Sequence, residues 1–323
     1  MPFSPTSISW PGTRAVLLVH GIGRASAAGD AAFPLETLKR ALGAHGEDVA
    51  VYTFNYDFIN DWLVRKTGLA DGIRQLKNVL RVKMGNDEAA GTIADYAGDV
   101  LWPVLSADLR LAIRDAYLAQ LIQIHLDCGV SALERGDDPL DYQTSIVAHS
   151  LGCFHTYETL WATALEPTHR LRPASNLFQL QSVWLMASPV QLIRSVAADI
   201  RPIVPDIDTL SCVARPLGIP CEAMGARNTM CTDQFIAVTG SQDPVGGHIL
   251  GSKQDWAYMN LGGQQTVIQP QHLTNVSDRA SLAAALRIAA TGGGATGVAV
   301  EDPHSWTRYI ENEAGRLREV ILA

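Results

Sequence analysis

Apolar residues fall into two patterns along this chain, short unbroken runs and longer stretches at helical spacing, and the two alternate. Ala15-Val16-Leu17-Leu18-Val19 is the first run. Apolar at every position, it predicts a central parallel strand covered by helices on both faces. Pro34 to Leu42 predicts a helix with proline at its start and Gly43 at its end. Val49 to Phe54 predicts a second strand, closed by Asn55-Tyr56-Asp57, so strand, helix and strand make a βαβ unit. Leu109, Ala112, Ile113, Ala116, Tyr117, Leu121 and Ile124 form one wide stripe and predict a crossover helix over 109–126. Ile146-Val147 then leads through His149 and Ser150 into a helix marked by Phe154, Tyr157, Leu160, Trp161 and Ala164, closed by Pro167. Further strands are expected at Phe178 to Ala187 and Phe235 to Thr239, with a short candidate at Val298 to Val300. A last helix carries Trp306, Tyr309, Ile310, Ala314, Leu317 and Ile321 on one face. The alternation predicts an α/β fold, a mostly parallel sheet of about six strands flanked by helices.

One stretch exceeds what such a fold needs. A single crossover helix suffices between the strands at Val51 and Ile146, and 109–126 supplies it. Residues 60–105 are therefore an insertion within one domain spanning 1–323. Leu69, Ile73, Leu76, Val79, Leu80 and Met84 mark an amphipathic helix, and Ile93, Tyr96, Val100, Leu101 and Trp102 a second, more apolar piece ending at Pro103. Insertions near the C-terminal edge of an α/β sheet often lie over the ligand site, which makes this one a candidate lid; a peripheral packing or dimer element is the alternative.

Composition narrows the partners. Among 323 residues 47% are hydrophobic and 18% charged, the balance of a soluble globular protein. A formal net charge of −8 without a basic cluster argues against nucleic acid or an anionic membrane as partner. No apolar run approaches the ~18–20 residues of a membrane span. The start, Met1-Pro2-Phe3-Ser4-Pro5-Thr6, has neither a basic segment nor a hydrophobic core of signal-peptide type. The 5 cysteines are odd in number and contain no C-x-x-C pair, which favours free thiols in a cytoplasmic protein over disulfides or zinc.

The chemistry centres on Ala148-His149-Ser150-Leu151-Gly152, set between a β-branched run and a helix. A tight turn there pushes the serine hydroxyl out beyond the strand. Small residues two before and two after Ser150 let the two backbones close around it, and the helix N-terminus faces any oxyanion formed. The pattern resembles the nucleophile elbow of the α/β-hydrolases, with Ala148 in place of the first glycine of G-x-S-x-G, a change that lipase-like and esterase-like members tolerate. His20-Gly21-Ile22-Gly23 after the first strand resembles the family's His-Gly motif, which implies an oxyanion-hole N–H from Ile22 alongside that of Leu151. The small-Ser-Pro turn Ala187-Ser188-Pro189 also resembles lipase-like members.

The resemblance places a triad acid directly after the strand at 235–239, where Gly240-Ser241-Gln242-Asp243-Pro244-Val245 offers Asp243. The triad histidine belongs on a loop before the last helix, which points to His304; His272 competes, because the interval from Asp243 to His304 is long. His20 and His149 belong to the two motifs, and His45, His125, His155 and His169 sit in helices or turns as packed or exposed residues. The order Ser150, Asp243, His304 is that of the superfamily. The resemblance thus implies a cofactor-independent serine hydrolase acting on a small-molecule ester with a hydrophobic acyl or alcohol part. A thioesterase or acyltransferase would use the same triad, and a non-catalytic hydrolase-like binding protein is the alternative of another class. Oligomeric state is left open.

Overall fold

A computed structural model of the chain describes residues 3–21, 33–59, 62, 74, 78, 106–165, 179–189, 231–238 and 305–323. Within them five strands form one parallel sheet: β1 (Arg14–Val19), β2 (Val49–Phe54), β3 (Gln143–His149), β4 (Gln179–Met186) and β5 (Cys231–Val238), in the order β2-β1-β3-β4-β5. The expected α/β class holds at this level. The candidate strand at 298–300 lies outside the described residues, as does the insertion at 60–105 apart from residues 62, 74 and 78.

Position in the sheet explains each strand's pattern. In β1 and β3 nearly every residue is buried, whereas β2, paired on one side only among the described strands, alternates. Successive side chains of β1 point to opposite faces and enter two separate cores. Ala15, Leu17 and Val19 join Phe54, Ile146, Ala148 and Leu185 beneath two helices, α2 (Ala107–Arg135) and α3 (Leu151–Leu165). Val16 and Leu18 join Val147, Trp184, Met186 and Ile236 beneath α1 (Leu35–Leu42), α4 (Trp306–Asn312) and α5 (Ala314–Leu322).

The helix α2 runs nine residues past the predicted end at 126. Nothing in the sequence stops it sooner. Ser106 caps its start by accepting from the Leu109 N–H at 3.3 Å, and Gly136, at φ +83°, makes the left-handed turn that ends the helix. Gly129, in mid-helix, lies under the returning chain, where a methyl group would sit 3.3 Å from the Pro139 carbonyl oxygen.

Parallel pairing brings the C-terminal ends of the strands level. Val19 pairs with both Phe54 and Ala148, His149 with Met186, and Met186 with Val238. His20-Gly21, Asn55-Tyr56-Asp57, Ser150 and Ala187-Ser188 therefore share one edge of the sheet. No helix among the described residues is long and apolar enough to cross a membrane.

Candidate active site

Ser150 lies between β3 and α3 with φ +52°, a left-handed conformation that a serine adopts only when its surroundings impose it. Several contacts do so. Its N–H donates to the Met186 carbonyl of the neighbouring strand at 3.0 Å, and its own carbonyl accepts from the Cys153 N–H at 2.9 Å. Gly21 presses against it from β1, so that a methyl group built on Gly21 would lie 2.5 Å from the serine Cβ and 3.1 Å from Oγ. Gly152 packs just as closely on β1, where a methyl group would meet the His20 carbonyl oxygen at 2.3 Å and that of Val19 at 2.6 Å. Only glycine fits at either place, and at Gly152 this is the physical content of the small residue two positions after Ser150 in the sequence. At the end of β4 Ala187 is also left-handed, with φ +54°, and donates its N–H to the Val238 carbonyl at 3.0 Å. Nothing about an alanine signals such a turn.

The serine is 3% exposed, and its sequence neighbour His149 belongs to a run of contacting aromatic and imidazole rings that ends at His20 and Tyr56. His20 stacks on Tyr56 with ring centroids 4.5 Å apart and meets Phe33 edge-on at 5.5 Å. Phe33 leans on Trp306 at 6.1 Å, and Trp306 stacks on His149 at 5.4 Å with the planes 10° apart. The start of α4 therefore packs against the residue before Ser150. The sequence pattern puts Tyr56 at the close of a strand and Trp306 on a buried helix face, without signalling that both border the elbow.

His20 has its tautomer fixed by its neighbours. The Tyr56 N–H can only donate, so Nε2, 3.3 Å away, accepts, and the ring proton belongs on Nδ1, facing the Gly21 carbonyl. Asn55 Oδ1, 3.1 Å from Nε2, also accepts from the Asp57 N–H at 2.9 Å. Burial holds the pKa of His20 below its ordinary value, against the opposing pull of Asp57, whose carboxylate lies 4.0 Å from Nε2. His20 is thus a neutral ring that fixes the Gly21 carbonyl.

A second buried polar group adjoins it on α3. The ring of His155 meets Tyr56 edge-on at 4.5 Å, and its Nε2 has no hydrogen-bond partner among the described residues. Burial, reinforced by His20 and Arg110, drives its pKa down to about 3. One turn further on, Glu158 faces Arg110 of α2 at 3.8 Å, with side chains 11% and 12% exposed. His155 is therefore a packed histidine, in keeping with its helical setting.

Of the residues proposed from sequence, Ser150 and Leu151 stand together at the start of α3, with Gly21 against the serine. Ile22, Asp243, His304 and the competing His272 lie outside the described residues. No group of three or more His, Cys, Asp or Glu side chains able to hold a metal occurs among the described residues. No protein-family model, curated protein or solved structure matches this chain, so its chemistry is read from its own geometry.

Proposed function

We propose that the chain is a serine hydrolase of the α/β-hydrolase kind, cleaving a carboxylic ester with a hydrophobic acyl or alcohol part through an acyl-enzyme. The observation that carries this reading is the left-handed Ser150, held between a buried parallel strand and a helix N-terminus and clasped by two glycines. Backbone strain of this kind persists where function requires it. Ser150 is the nucleophile. His304, held in one tautomer by Asp243, takes the hydroxyl proton as Oγ attacks the carbonyl carbon and later returns it to the leaving alcohol. The N–H groups of Leu151 and Ile22 hold the oxyanion, and losing one such donor raises a comparable barrier by about 2.7–4 kcal/mol. Water then releases the acyl group.

Two features support the partners. Asp243 comes five residues after the end of β5, and β5 lies two strands from β3, roughly 10 Å at ordinary strand spacing, a span suited to an acid reaching the serine through a histidine. His304 directly precedes Ser305, the capping position of the helix whose Trp306 stacks on His149. That contact favours His304 over His272 as the base. The insertion at 60–105 is assigned as a cap that lines the acyl pocket.

Labelling with a fluorophosphonate tests the reading in wild type, Ser150→Ala, His304→Ala and His272→Ala. We expect label on Ser150, lost in Ser150→Ala and at least about 100-fold slower in His304→Ala, the contribution of a general base. Loss in His272→Ala alone would reassign the base. A folded protein that takes no label at Ser150 would refute the hydrolase reading and leave a binding protein. A p-nitrophenyl ester series beside thioesters then separates esterase from thioesterase.

A further inference from the structure

We infer that Cys153 is a positioning residue that holds the Ser150 elbow in its reactive conformation. The inference rests on the hydrolase reading for its kinetic consequence and on the described backbone for its geometry. Cys153 is fully buried one turn into α3, and its Sγ lies 3.2 Å from the Met186 carbonyl oxygen and 3.4 Å from that of Ala148. The thiol S–H thus spans the ends of the two strands that meet at the nucleophile. The Met186 carbonyl is the acceptor that also takes the Ser150 N–H, so its two lone pairs receive the serine and the cysteine together. The Cys153 N–H closes the ring by donating to the Ser150 carbonyl. Both peptide groups that flank Ser150 are held in this way. The second of them is the peptide whose N–H belongs to Leu151, and because a peptide is planar, fixing the Ser150 carbonyl fixes the direction of that donor.

The ring meets a specific need. A left-handed serine relaxes toward ordinary backbone unless something restrains it, and relaxation would turn both the hydroxyl and the Leu151 N–H away from a substrate. The tie at the bottom of the elbow has little slack, since Gly21 and Gly152 already fill the space on the β1 side. A hydroxyl reproduces the donor, whereas a methyl group removes it and leaves the Ala148 and Met186 carbonyls short of one bond.

The test compares wild type with Cys153→Ser and Cys153→Ala. The readouts are fluorophosphonate labelling at several probe concentrations, which separates the inactivation rate constant from probe affinity, and amide hydrogen exchange at Ser150. We expect Cys153→Ala to lower the inactivation rate constant about tenfold with probe affinity unchanged, and Cys153→Ser to stay within about threefold of wild type, the pattern of a residue that sets the geometry of the nucleophile and not the binding of the probe. The Ser150 amide should exchange at least about tenfold faster in Cys153→Ala than in Cys153→Ser, since exchange reports local opening. Equal inactivation constants for folded alanine and serine variants would overturn the inference, whatever their melting temperatures. If wild type takes no label, the hydrolase reading falls and amide exchange alone decides. Faster exchange confined to the alanine variant would uphold the clasp, and equal exchange in all three proteins would remove it.

Discussion

Two residues in this sheet hold backbone conformations that their side chains disfavour, Ser150 and Ala187, and both stand at the C-terminal ends of adjacent strands. At Ser150 the strain can be isolated from the hydroxyl. Ser150→Ala and Ser150→Gly both remove Oγ, but only glycine occupies φ +52° without a clash. Ser150→Gly should therefore be the more stable of the two by roughly 1 kcal/mol, read from urea midpoints at unchanged slope. Equal stabilities would mean that the left-handed conformation carries no strain. The same site shows what a sequence can and cannot reveal. The small residue at Gly152 was legible because close approach to the first strand demands glycine there, whereas the packing of Gly21 on the serine was not. The left-handed Ala187 was not, because alanine has no chemical reason to mark such a turn, and the conformation there depends on the bond to Val238 at the end of the next strand.

At the level of elements, α2 and α3 meet through Arg110 and Glu158 as well as through apolar contacts. Breaking such a pair from one side leaves a buried charge uncompensated. Arg110→Met should destabilise the fold by roughly 3–5 kcal/mol, and Arg110→Met with Glu158→Leu should recover most of that loss in a double-mutant cycle measured by denaturant unfolding. Additive losses would show that the two charges are independent. The pair could not be read from the sequence, where both residues fall on helices with a solvated face available to them. Strand positions were legible for the opposite reason: apolar runs have few places to go except a sheet covered on both faces, and each described strand overlaps the run that predicted it, although β5 begins at Cys231, four residues before Phe235, and β3 at Gln143, three before Ile146. The far end of α2 escaped because its buried face there is built from Cys128, Ser131 and Ala132, small residues that mark no apolar stripe. Leu126, Val130 and Leu133 are each more than half exposed, so the pattern that locates a buried face gave no guide to where the helix stops.

For the whole molecule the buried histidines tie stability to pH. His155 is held at about 3 in the folded chain against an ordinary 6.5, so the unfolded chain binds the extra proton throughout the interval between them. Its contribution is complete above pH 6.5 and is lost progressively as pH falls toward 3; His20, lowered in the same direction by burial, adds to the loss. The urea midpoint should fall across this window in wild type, and His155→Gln should flatten the decline. An unchanged slope in that variant would assign the acid sensitivity to other groups. Site and stability share these residues, since His155 and His20 both pack on Tyr56 beside the elbow.

The strand order also governs how the chain comes into being. Synthesis yields β1 and β2 first, yet β1 has its second partner in β3, with 123 residues in between, counting from Val19 to Gln143 with neither included. Until then one whole edge of Ala15 to Val19 has nothing to pair with, and of the helices that cover its two faces α3, α4 and α5 are still to come. A ribosome adding about 5–20 residues each second leaves that edge open for many seconds. Cells that make this protein must shield a nascent apolar strand for that interval, and slower translation would lengthen the exposure.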